Sequence, residues 1–293
     1  MLSENCGIAS LRLKTCGKCE PAGPLSEARA QGNHDVMTSS QKYPVILAGI
    51  FAACILLSGC ETTQVETDAK VDSTLAKIAE DSEAAGDYEA AVSFYQRALK
   101  RNPDDLTMRL ALSRNLRHLG EADEAGKVLS PEKDRYGENA IFLLEFGKVE
   151  LATGNAKSAV VILKKATEKM PDNWQALTTL GIAYDMQEMY WRSADIYQAA
   201  LMLSPNNPAI LNNFGMSQAQ AGQLDDAIAT LKKALAESYG NTQIRQNLAL
   251  LYGIKGDNTK AEGLARKDLG ALEIKNNMAY YKTFRKRNIP DQQ

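Results

Sequence analysis

Cysteine is absent from the last 233 residues of this 293-residue chain: Cys6, Cys16, Cys19, Cys54 and Cys60 all lie in the first sixty. The body can therefore hold no internal disulfide and no thiolate metal site. The early Cys16–Cys19 pair has only Cys6 and His34 near it, too little for the four ligands of a structural zinc site. Beyond residue 60 there is one histidine, His118, and no HExxH, GxSxG or phosphate-cradling glycine loop. The sequence thus predicts no enzyme, no metal, no cofactor and no small-molecule substrate. An excess of basic charge is missing as well. A formal charge of −2 offers no cationic face to displace counterions from phosphate, which argues against nucleic acid as a partner. Also missing is an apolar run long enough to span a bilayer: Val45–Leu57 is thirteen residues without a charge, against roughly twenty for a membrane helix.

What is present begins with that run. Thirteen apolar residues suit the core of an export signal, and the run ends in Leu57-Ser58-Gly59-Cys60. This resembles the lipobox of bacterial lipoproteins, in which cleavage before the cysteine leaves Cys60 as the lipidated first residue. Met37 opens MTSSQKYPV with one positive charge at Lys42, so a signal over residues 37–59 has ordinary proportions. Residues 1–36 are then expected to be a non-native or disordered extension. Acyl chains contribute about 0.8 kcal/mol per buried methylene, so several of them on Cys60 would make a lasting membrane anchor. Glu61 in place of aspartate after the cysteine implies, by the sorting rule of well-studied Gram-negative lipoproteins, the periplasmic face of the outer membrane. Removing five basic and four acidic residues with the leader leaves a charge of −3, no patch for anionic lipid. Residues 60–71 are expected to be the lipidated cysteine and a polar tether reaching roughly 36–40 Å when extended.

The composition of the remainder, within a chain 44% hydrophobic and 24% charged, is that of a globular body. Its governing feature is a period of 34 residues. Glycine recurs at 86, 120, 154, 222 and 256, with Glu188 in the gap; alanine at 91, 125, 159, 227 and 261, with Ser193 in the gap; proline at 103, 171 and 205. Six units fit residues 72–275 without insertion. The pattern resembles the tetratricopeptide (TPR) repeat and predicts an all-α superhelical solenoid of six two-helix repeats, A then B. Small residues at repeat positions 8 (Ala79, Gly147, Gly181, Gly215, Ala249) and 20 let the two helices cross closely. Glycine at position 15 fits a left-handed helix end. Tyr88, Tyr95, Leu180, Tyr184, Tyr190, Tyr197, Phe214 and Leu248 are expected in the core. A C-terminal helix and tail over residues 276–293 would cap the last repeat, with Met278, Tyr281 and Phe284 inward and Lys282, Arg285 and Lys286 toward water. In repeat 2, Pro131 and Glu132 predict a break between residues 128 and 134, the SPEK stretch acting as a cap that restarts the helix.

TPR arrays line their concave face with helix A positions 2, 5, 9, 12 and 13. Thr178, Ile182, Asn213, Gln243 and Asn247 stand where some TPR domains carry a basic clamp for a peptide carboxylate, so no such clamp is expected. Ile182, Met216 and Leu250, all at position 9, instead form an apolar stripe flanked by the amides Asn212, Asn213, Gln246 and Asn247, suited to an extended partner segment. Glu80 and Glu83 face Arg114 and Arg117 in repeats 1 and 2 as surface pairs. Trp191 is either an exposed contact or half-buried packing.

The C-terminal stretch NLALLYGIKGDNTKAEGLARKDL, followed by NNMAYY, resembles the TadD family, TPR lipoproteins of the tight-adherence (Tad, Flp pilus) machinery. The resemblance implies an outer-membrane lipoprotein that helps localise or assemble the secretin, with protein components of the pilus or secretion system as partners. A pilotin of the ordinary type IV pilus and an adaptor of cell-wall hydrolases are the alternatives.

Overall fold

The computed structural model describes residues 61–288. The expectations for Met37, Leu57, Ser58, Gly59, Cys60 and the leader lie outside the described residues, as does the tail beyond 288. Helix α1 runs Glu61–Ala84, so residues 61–70, expected as an irregular tether, are helical. The segment contains neither glycine nor proline, and a helix nucleated over buried Leu75 and Ala79 propagates through such a sequence at little expense. Eleven residues in this form rise about 16 Å, well short of the extended reach. The body begins at Asp72, where the contact units divide.

From there the chain alternates A and B helices. The A helices are α1, α3 (Leu106–His118), α6 (Ala140–Ala152), α8 (Trp174–Asp185), α10 (Pro208–Gln220) and α12 (Thr242–Lys255). The B helices are α2 (Tyr88–Arg101), α4 (Ala122–Leu129), α7 (Ala156–Lys169), α9 (Tyr190–Leu203), α11 (Leu224–Glu237) and α13 (Asn258–Ala265). Each B helix from α2 to α11 packs on the A helix that follows its repeat, and α3, α6, α8, α10 and α12 also touch one another in succession. The A helices therefore form a continuous row, and among the described residues there is no strand.

The periodic residues do what their chemistry requires. All six position-20 side chains, Ala91, Ala125, Ala159, Ser193, Ala227 and Ala261, are 0% exposed. A series not read from the sequence caps the A helices: Asp105, Asn139, Asn173, Asn207 and Asn241 each accept a backbone N–H of the first turn, satisfying donors that the helix itself leaves open. The position-15 glycines adopt φ between 80° and 97°, and Glu188, which interrupts their series, is forced to φ 59°. A left-handed non-glycine residue carries strain of about 1–2 kcal/mol, part of which glycine gives back in chain entropy. Glu188→Gly is therefore expected to stabilise the protein by about 0.5–1 kcal/mol, read as a higher urea midpoint; a lower midpoint would refute the strain.

Two repeats depart from regularity. In repeat 2 the B helix breaks as expected: α4 ends at Leu129, a 3-10 turn covers Ser130–Glu132, and α5 spans Lys133–Tyr136. Ser130, however, makes no side-chain cap; Pro131 occupies the start of the 3-10 turn, where its fixed φ is tolerated. In repeat 6, α13 is short and the last helix, α14 (Ala271–Asn288), starts before the expected boundary at 276. The Glu273 carboxylate reaches back to the Gly270 N–H at 2.9 Å, the return half of a capping box, and this fixes the earlier start. Tyr281 is buried and its ring lies where a Cβ on Gly253 would sit, so α14 seals the end of the stack. Lys282 faces water, but Arg285 is only partly exposed. Its guanidinium lies against Gly256 at the C-terminus of α12, where positive charge is favoured.

Candidate functional site

The row of A helices carries two kinds of surface. Over repeats 1 to 3 it is ionic. The Arg114 guanidinium donates to both Glu83 oxygens, Nε at 2.6 Å and Nη2 at 3.1 Å, and Tyr95 Oη adds a third bond at 3.0 Å. Burial works to raise the Glu83 carboxyl, but hydrogen bonds from Arg114, Asn115 and Tyr95, with the Arg114 charge, hold it below the ordinary carboxylate range. Arg117 turns away from Glu83 and binds Glu145 of the next repeat at 2.8 and 3.3 Å. These are fixed, bidentate pairs between successive A helices, more ordered than the loose surface pairs expected. His118 stacks on Tyr88 with ring centroids 4.6 Å apart.

Over repeats 4 to 6 the row is apolar and amide-rich, and the structure sorts the expected contacts into two groups. Asn212 and Asn247 are 1% and 2% exposed. Asn247 Nδ2 donates to Asn212 Oδ1 at 2.9 Å, and Asn212 Nδ2 to Asn213 Oδ1 at 3.4 Å. The two amides thus bind each other across the repeat 5–6 boundary, and their burial leaves almost no surface for a partner to touch. Met216 is also buried. Gln246 is partly exposed and donates to Asp268 at 3.0 Å. Ile182, Leu250 and Asn213 are partly exposed on the row, with Ile182 packing in part against Tyr197 and its neighbours. The accessible part of the expected stripe is therefore Ile182, Asn213, Gln246 and Leu250.

Between these surfaces lies Asp185, the last residue of α8, which the sequence reading passed over. Its carboxylate accepts from Tyr197 Oη at 2.8 Å and Ser217 Oγ at 2.6 Å, and Ser217 is in turn 2.9 Å from Ser193 Oγ. Burial pushes its pKa above the ordinary value despite the hydroxyls of Ser193, Ser217 and Tyr197. A signal for it existed: an acid twelve residues before a tyrosine occurs at Glu83/Tyr95 and again at Asp185/Tyr197, three repeats apart.

Elsewhere Trp191 is 66% exposed, with the Arg192 guanidinium 4.8 Å from its ring, so it is not half-buried packing. An open apolar cavity of about 440 Å³ lies between α11 and the α12–α13 pair, lined by Leu235, Leu248, Tyr252 and Leu264. Among the described residues there is no cluster of metal-ligating side chains and no helix long and apolar enough to cross a membrane.

Residues 83–133 match the tetratricopeptide repeat family model. The chain is 25% identical to BBSome complex member BBS4 of Bos taurus over 167 residues, 57% of this chain and 32% of that protein. It is 28% identical to the Mus musculus protein over 142 residues, covering 48% and 26%. It thus spans about a third or less of the length of the curated relatives it matches. Among solved structures, a thermophilic TPR protein of Thermus thermophilus is similar at a TM-score of 0.56 and 21% identity, over 61% of this chain and 98% of that one. A tetratricopeptide repeat protein from Parabacteroides merdae is similar at 0.55 and 14%, over 76% and 95%. The fold is an all-α TPR solenoid.

Proposed function

We propose that this chain is a membrane-tethered TPR scaffold of the Tad/Flp pilus machinery that helps localise or assemble the outer-membrane secretin. It does so by holding a segment of a secretion component on its row of A helices, and it is not an enzyme. The observation that carries the reading is the junction of two features in one chain: a Leu57-Ser58-Gly59-Cys60 lipobox after an apolar run, and a solenoid whose A-helix row leaves Ile182, Asn213, Gln246 and Leu250 partly open. The resemblance of residues 247–281 to the TadD family selects the pilus machinery from among periplasmic TPR proteins. Lipid at Cys60 would confine the body to the inner leaflet of the outer membrane. Confinement raises the effective concentration of a partner in the same membrane, so a modest affinity on the groove suffices.

Cys60→Ser is expected to abolish radiolabelled palmitate incorporation, move the chain to the soluble periplasmic fraction and deplete heat-resistant secretin multimers from the outer membrane. The paired change Ile182→Ser/Leu250→Ser keeps lipidation but lowers recovery of secretin components in pull-downs from detergent-solubilised envelopes. Met216→Glu is unsuited to this purpose because Met216 is buried and a carboxylate there would have no opposite charge to pair with. Palmitate labelling that survives Cys60→Ser overturns the anchor, and normal secretin assembly in cells lacking the chain overturns the role.

A further inference from the structure

The solenoid contains the same carboxylate site twice, and only one copy is complete. In the first, Glu83 at repeat position 12 receives Tyr95 from position 24 of its own repeat, and Arg114 and Asn115 from positions 9 and 10 of the next. In the second, Asp185 at position 12 receives Tyr197 from position 24 and Ser217 from position 10 of the next repeat. Every partner has its counterpart except the guanidinium. Met216, three repeats after Arg114, occupies its register and has no donor to give. Around it, positions 9 and 12 of repeats 3 to 6 are otherwise Lys148, Ile182, Leu250, Leu151, Ala219 and Gly253.

From this comparison we infer that Asp185 is the anchor for a cationic side chain, arginine or lysine, on the partner segment that lies along the A helices; the inference rests on the groove reading above. The incoming charge takes the part that Arg114 plays for Glu83. Two facts support this reading. Asp185 is partly exposed at the end of α8, so a group lying along the A helices can approach it. Its hydrogen-bond partners are all neutral hydroxyls, and among the described residues no cation pairs with it. A carboxylate taken out of water without an opposite charge is unfavourable, and a cation that desolvates with it recovers that loss. The flanking Ile182 and Leu250 define the rest of the preferred segment: apolar residues on either side of one positive charge.

The test is selection of a displayed library of random twelve-residue peptides on the full-length lipidated chain in detergent micelles. Peptides enriched on the wild type are expected to share one arginine or lysine among apolar residues. Replacing that arginine with citrulline, its neutral isostere, should weaken binding about tenfold or more, and Asp185→Asn should do the same while removing the difference between the two peptides. Met216→Arg supplies the missing cation from within, as Arg114 does, and should suppress binding of the cationic peptide while leaving the circular-dichroism spectrum and melting intact. Enriched peptides without a shared cation, weakened by Ile182→Ser/Leu250→Ser but not by Asp185→Asn, would refute the anchor and leave the groove standing. Enrichment insensitive to every change on the A-helix row, or none at all, would refute both.

Discussion

Arg109→Leu alone is expected to destabilise the solenoid by about 2–3 kcal/mol, and Glu132→Ala alone by a similar amount, whereas the double variant should lie within about 1 kcal/mol of wild type or above it. The reason is an exchange written twice into the repeat. Position 4 is leucine in four units (Leu75, Leu143, Leu177, Leu211), and position 27 of the same four is alanine (Ala98, Ala166, Ala200, Ala234). In repeats 2 and 6 both positions change together, to Arg109 with Glu132 and to Arg245 with Asp268. In each case the new residues form an ion pair: Arg109 Nη2 to Glu132 Oε1 at 3.1 Å, and Arg245 Nε to Asp268 Oδ2 at 2.7 Å. The Arg109 and Glu132 side chains are 18% and 16% exposed. Removing one partner leaves the other charge largely out of water, which is expensive, while replacing both restores the apolar contact of the regular repeat, and such replacements are commonly neutral or favourable. Urea denaturation of the full cycle should give a coupling of at least about 1.5 kcal/mol. Additive single effects would show that the two positions do not act as a unit. The second pair behaves alike but is more embedded, since Asp268 also accepts from Gln246 and Thr242. Hydrogen bonds from Arg245, opposed in part by desolvation, draw its carboxyl down to about 2.

The same two pairs explain where the sequence was readable and where it was not. Small residues, glycines and prolines each answer to a constraint of one backbone position, so a period of 34 exposes them, and the helices α1 to α12 follow it. The asparagine series at 139, 173, 207 and 241 was equally periodic; it escapes notice because a capping asparagine resembles any loop residue until the helix start is known. Asn212 and Asn247 are a harder case. Alone, each amide reads as solvated surface, and only their mutual bond across 35 residues makes burial tolerable. The ion pairs share that property: the arginine is intelligible only beside its acid, 23 residues on. The early start of α14 came from Gly270 and Glu273, local chemistry that overrode a boundary set by counting. Asp185 belongs to this class as well, for its meaning depends on comparison with Glu83 three repeats away.

Gly181→Leu is expected to cost more than about 3 kcal/mol, and the response to alanine at three helical glycines should even change sign. A Cβ on Gly181 would lie 2.7 Å from Tyr197 Cε1 and 2.8 Å from Cζ. The ring cannot retreat, because Tyr197 is fully buried and its hydroxyl is held by Asp185. Gly215 is less tight: its Cβ would meet Leu231 Cγ at 3.0 Å and the Ala227 carbonyl oxygen at 3.3 Å, contacts that a shift of a few tenths of an ångström relieves. Gly126, in α4, would meet only Val149 Cγ1 at an ordinary 3.6 Å. Glycine within a helix is disfavoured against alanine by about 0.5–1 kcal/mol when nothing else intervenes. Gly126→Ala should therefore stabilise the chain, Gly215→Ala should be near neutral, and Gly181→Ala should destabilise it, with urea midpoints in that descending order. A midpoint for Gly181→Ala at or above wild type would mean that α8 and α9 do not approach as closely as the repeat requires. Because the same ring that blocks residue 181 also positions the Asp185 carboxylate, Gly181→Ala should weaken binding of a cationic peptide beyond any loss in Gly215→Ala, joining the packing of repeat 4 to its surface chemistry.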